Sequence, residues 1–217
     1  MIAAPRLHPW RTEPMLIALV VMHLQAVLVP LGVALHCRGG LLKAGFCCFA
    51  LASLAEMVDH TTTNWIYVNH ISVFNGVFYG SLAAGLALLT ASVSRSRQWR
   101  LPLLLLTLLV IAAYPFAGKT VAISLQTLLV MLMLLQWWKR FSDRRLWLYP
   151  LFGVVLTTGA GAMLTSSGDP LWHLVIGPCG SLSVLTLGWV WQRGIRREAR
   201  TKMCASKREK PQHKGMD

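Results

Sequence analysis

The stretch EMVDHTTTNWIYVNH, residues 56–70, parts two long apolar runs, about 41–60 and 72–93. It holds two carboxylates and two histidines, in a chain where charged residues are only 13% of the total. Each flanking run has the length of a membrane-crossing helix, because the hydrocarbon core is about 30 Å thick and a helix rises about 1.5 Å per residue. The polar stretch is therefore predicted to close one span and open the next.

The same reading applied along the 217 residues, 55% of them hydrophobic, gives seven spans: about 15–35, 41–60, 72–93, 101–117, 119–138, 146–165 and 171–191. The expected fold class is an all-α membrane protein, a bundle of seven transmembrane helices. Residues 1–14 form a short polar lead, 15–191 the membrane domain, and 192–217 a basic tail expected to be disordered. No length remains for a separate soluble domain.

The net charge of +13 follows the topology. With seven spans, the side carrying the N-terminus has 3 lysines and arginines (Arg6, Arg11, Lys119), and the opposite side has 18. The positive-inside bias then predicts an outside N-terminus and a cytoplasmic C-terminus, in a plasma membrane or bacterial inner membrane. Attraction of the tail to anionic lipid heads accounts for its charge without a nucleic-acid partner.

The five cysteines (Cys37, Cys47, Cys48, Cys179 and Cys204) include no C-x-x-C pair and read as small apolar helix residues. The first apolar run is too long for a cleavable signal peptide and lacks an A-x-A site. Trp65, Tyr67, Trp99, Trp137, Trp138, Trp147 and Tyr149 are expected as interfacial anchors. Gly76 and Gly80 make a G-x-x-x-G suited to close helix packing. Pro30, Pro115, Pro150 and Pro178 are expected to kink or bound spans.

Ionisable groups within a membrane are costly, and they point to function. Glu56, Asp59 and His60 lie near the outer end of helix 2. His70 opens helix 3, and Asp169 and His173 open helix 7. All six fall at one depth, on the outer leaflet. The i, i+3, i+4 spacing places Glu56, Asp59 and His60 together, and Asp169 and His173 share a face at i, i+4. Imidazole nitrogens with carboxylate oxygens suit zinc, with His60, His70, Asp169 and His173 as ligands and a position left for water. Glu56 or Asp59 would then act as general base. The alternatives are local: Asp169 before Pro170 is a good helix cap, and His23 with Gln25 on helix 1 suits an inter-helical hydrogen bond.

These residues resemble the superfamily of alkaline ceramidases, progestin and adiponectin receptors and haemolysin-III-like proteins. Its members have seven spans, S-x-x-x-H on helix 2 and H-x-x-x-H on helix 7. Here the helix 2 counterpart is EMVDH, with His60 in the histidine position, Glu56 at the serine position and Ser53 a turn earlier. The helix 7 counterpart is DPLWHLVIGPCGSL, with His173 at the second histidine and Asp169 at the first. The resemblance implies a zinc-dependent hydrolase of a lipid amide or ester, with Glu56, Asp59 and Ser53 as catalytic residues and a membrane lipid as substrate.

Two further readings stand beside it. One is a non-enzymatic receptor-like, sensor or accessory protein whose polar cluster binds a ligand. The other is a b-type haem protein with His60 and His173 as axial ligands.

Overall fold

The structure, a computed structural model, describes residues 13–61, 67–68, 71–94, 96–141, 145–167 and 171–208. Seven helices follow in order: α1 Glu13–His36, α2 Gly40–Thr61, α3 Val73–Val93, α4 Arg100–Ala117, α5 Lys119–Arg140, α6 Arg145–Ser167 and α7 Leu171–Arg208. All seven are long and apolar enough to cross a membrane. A small antiparallel ladder, β1 Tyr67–Val68 on β2 Ile71–Ser72, lies between α2 and α3.

Two of the turns between helices are short and set by glycine. Gly39 joins α1 to α2 at φ +120°, and Gly118 alone separates α4 from α5 at φ +87°. Both values lie in the region where a Cβ is strained, so glycine is the residue that permits these reversals. Ser72 caps α3, its hydroxyl accepting from the Asn75 amide at 3.4 Å. Ser96 caps the 3-10 turn Arg97–Trp99 that leads into α4.

Helix α1 packs between α2 and α7, α6 packs on α7, and α3 packs on α2, α4 and α5. Small residues set the closest approaches. A Cβ at Gly85 of α3 would lie 3.0 Å from the Gly45 carbonyl of α2. One at Gly177 of α7 would lie 2.0 Å from the Met22 sulfur of α1. Gly76 and Gly80 face Tyr114 and Ile111 of α4, the packing role their spacing suggests. Helix α4 shows how a span divides its surface. Leu103, Thr107 and Val110 form one buried stripe at i, i+4, i+7, while Leu101, Leu104, Leu105 and Leu108 face outward.

The four prolines, expected to kink or bound spans, lie inside α1, α4, α6 and α7. Two details differ from the sequence reading. Helix α7 runs on to Arg208, so the first part of the tail is helical rather than disordered. That segment is rich in arginine and carries lysine and alanine, all good helix formers. Trp137 is not an interfacial anchor. It is 1% exposed and packs against Phe141 and against Trp191 of α7, with ring centroids at 5.5 and 6.2 Å. Trp65 lies outside the described residues.

Candidate metal centre

The polar end of α2 divides between two neighbours. Successive helical residues point about 100° apart, so Glu56 and His60 are separated by about 40° while Asp59 points well away from His60. Glu56 and His60 turn toward α1 and meet His23 there; ligand atoms of the three lie within 4.8 Å of one another. Asp59 turns toward α3. Its Oδ2 accepts from Asn75 Nδ2 at 2.7 Å, and its Oδ1 accepts from the Ser72 hydroxyl. Asp59 thus ties the end of α2 to the first turn of α3, where a carboxylate also complements the helix dipole. The expectation that Asp59 joins His60 on one site face is corrected by this geometry.

His23 is the residue the sequence reading did not place in the cluster. It is 1% exposed, among the most deeply buried polar side chains described. Counted at 1.5 Å per residue, His23 lies about 20 Å along α1 from the connecting turn and His60 about 30 Å along α2. The helices are antiparallel, and side chains lean toward the N-terminus of their own helix. His23 therefore leans toward the cluster from below and His60 leans back toward it from above. His60 Nδ1 stands 3.3 Å from His23 Nε2, with the ring centroids 5.2 Å apart. Gln25, two residues on, faces outward.

His173 completes the group from α7. Its ring lies edge-on to that of His60, with centroids at 4.8 Å and an interplanar angle of 81°. Gly177, one turn later, permits this placement because α7 there approaches Met22, the neighbour of His23. Two imidazoles in direct edge contact leave no room for a porphyrin between them, so this pair does not form the axial ligands of a haem. Tyr79 of α3, itself buried, lies within electrostatic range of Glu56 and stacks on Tyr114 of α4 at 5.0 Å. Ser53 is half-buried on α2, two turns before His60. His70 and Asp169 lie outside the described residues.

The tautomer of His23 is fixed by its surroundings. Its Nδ1 lies 2.7 Å from the Leu19 carbonyl oxygen. A carbonyl only accepts, so Nδ1 carries the hydrogen, and in the neutral ring Nε2 presents a lone pair toward His60. The cluster therefore offers a neutral imidazole acceptor, a second imidazole and a carboxylate, drawn from two helices and bordered by a third. Such a set can bind a cation, hold a mobile proton, or accept hydrogen bonds from a polar ligand.

A family model described as "Seven transmembrane receptor" (7TM_cyano) matches residues 15–196. The chain belongs to that family, and its seven apolar helices make it an integral, multi-pass membrane protein. No curated protein and no solved structure matches it.

Proposed function

We propose that this member of the seven-transmembrane receptor family is a receptor-like or sensor membrane protein whose ligand-receiving site is the polar cluster of His23, Glu56, His60 and His173. The observation that carries the reading is the convergence of these four side chains from α1, α2 and α7 within the membrane-spanning part of the bundle. Ionisable groups inside a membrane-spanning bundle are expensive, and packing alone would be served by apolar residues. With the N-terminus outside, as the 3-against-18 distribution of basic residues implies, the cluster faces the extracytoplasmic side and is reached from there or from the outer leaflet.

Both the family description and the engagement of Asp59 favour a receptor over a lipid hydrolase. A hydrolase built from Glu56, Asp59 and Ser53 would need Asp59 free to take a proton, whereas its two oxygens accept from Ser72 and Asn75.

The test is genetic. Glu56→Gln is placed in the chromosomal gene, and the transcriptional response of the cells is compared with that of a deletion. The variant is expected to reproduce the deletion while the protein stays in the membrane at its normal level. A wild-type response from Glu56→Gln cells would remove the cluster from function.

A further inference from the structure

We infer that His23, Glu56 and His60 are the ligands of a divalent transition-metal ion of the zinc type, held between α1 and α2. This deepens the reading of the cluster as the ligand site and rests on it. The ligand set differs from the one suggested by the sequence, which drew on helices 2, 3 and 7 and left His23 out.

The spacing supports the assignment first. Two ligands of a tetrahedral ion with bonds of about 2.0–2.1 Å stand about 3.3–3.4 Å apart. His23 Nε2 and His60 Nδ1 are separated by 3.3 Å. The gap between these two nitrogens thus accommodates either a shared hydrogen or a metal ion that replaces it. A carboxylate oxygen of Glu56, within 4.8 Å of both, needs to close by no more than about 1.5 Å to complete a facial set of three.

The orientation of His23 supports it second. Its Nδ1–H donates to the Leu19 carbonyl at 2.7 Å, which fixes the ring and aims Nε2 inward. A metal-bound histidine has its remote nitrogen held in this way, because the second hydrogen bond sets the tautomer and raises the basicity of the ligating nitrogen. A buried histidine required only for packing has no need of a lone pair aimed at a second imidazole.

Charge and donor type come third. Glu56 brings a negative charge into a low-dielectric region, and a bound cation offsets it. Two imidazoles and one carboxylate match zinc and its neighbours. Calcium and magnesium take oxygen donors almost throughout. Three protein ligands leave a fourth position for water or for a donor atom of an incoming ligand. The ring of His173 against His60 borders the centre on the α7 side.

The experiment uses the full-length chain, carrying no polyhistidine tag and purified in detergent. Metal content is measured on the protein as isolated. The stripped protein is then titrated with Zn2+ alone, and with Co2+ alone for its visible spectrum. Wild type is expected to carry about one zinc per chain and to give the intense absorption of four-coordinate Co2+. His23→Gln and His60→Gln are expected to weaken Zn2+ binding by on the order of 100-fold, Glu56→Gln by at least about tenfold. His36→Ala, an exposed histidine on the same helix as His23, is expected to bind as wild type does.

A wild-type chain that neither carries nor takes up zinc or cobalt overturns the inference, and so does wild-type affinity in His23→Gln. If a histidine variant fails to fold, Glu56→Gln decides, and unchanged affinity there also overturns it. A metal-free wild type whose Glu56→Gln variant still reproduces the deletion would reject the metal and leave the ligand-site reading standing.

Discussion

Asp59, near the end of α2, accepts a 2.7 Å hydrogen bond from the side-chain amide of Asn75 in the first turn of α3. The same carboxylate holds the hydroxyl of Ser72, the cap of α3. One residue therefore fixes how the connection between α2 and α3 enters the bundle, at the end where the polar cluster lies. Asp59→Ala is expected to leave two polar partners without their acceptor and to cost about 1–3 kcal/mol. Asp59→Asn, which keeps one acceptor oxygen, should cost less. Thermal unfolding in detergent measures both. The structural role also predicts that Zn2+ affinity in the folded Asp59→Ala protein stays within a few-fold of wild type.

Gly153 of α6 offers a second test, because its neighbour is backbone rather than a pliable side chain. A Cβ there would lie 2.8 Å from Ser183 Cα and 2.7 Å from Ser183 Oγ on α7. The approach also lets the Thr157 and Ser183 hydroxyls meet at 3.0 Å. Gly153→Ala is expected to push α6 from α7 and to destabilise by about 1–3 kcal/mol. Gly159→Ala, on the same helix with open space around it, should be nearly neutral or slightly stabilising. A matched pair of melting curves checks the difference.

The span pattern was legible because length and hydropathy alone set it; a run such as 119–138 admits little besides a crossing helix. The meeting of His60 with His173 was legible for a similar reason. Both lie at helix ends on one side, so a shared depth brought them together. The division of EMVDH was not legible, because i+3 and i+4 look alike in sequence but point about 100° apart on the helix. Deciding which of Glu56, Asp59 and His60 faces α1 requires the neighbours. His23 was missed because its backbone lies about 10 Å below that of His60 along the helix pair, a gap that the opposite leaning of the two side chains closes. One signal could have found it: a lone intramembrane histidine on a helix that must hairpin onto the polar one.

Trp137 tests the reassignment of an aromatic residue from membrane interface to core. Its ring lies against Phe141 and Trp191, where it joins the end of α5 to α7. Trp137→Ala is expected to open a cavity and to cost about 3–5 kcal/mol. Phe116, 88% exposed on α4, presents its ring to the surroundings, and Phe116→Ala should change stability by no more than about 0.5 kcal/mol. Equal losses from the two substitutions would return Trp137 to the interfacial class.

The orientation of the bundle is the remaining test, and it decides which compartment meets the cluster. The end that carries the α2–α3 connection has few basic residues, while the opposite end gathers Arg38, Lys43, Arg95, Arg97, Arg100, Lys139, Arg140, Arg144 and Arg145 and the basic run of the tail. That asymmetry opposes translocation of the basic end. A fluorescent protein fused after Asp217 is expected to mature and fluoresce in the cytoplasm, and an alkaline phosphatase fused there to be inactive. A phosphatase inserted in the 62–66 connection should be active outside. The reverse pattern would put His23, Glu56 and His60 on the cytoplasmic side, within reach of cytosolic ligands and cut off from the outer leaflet.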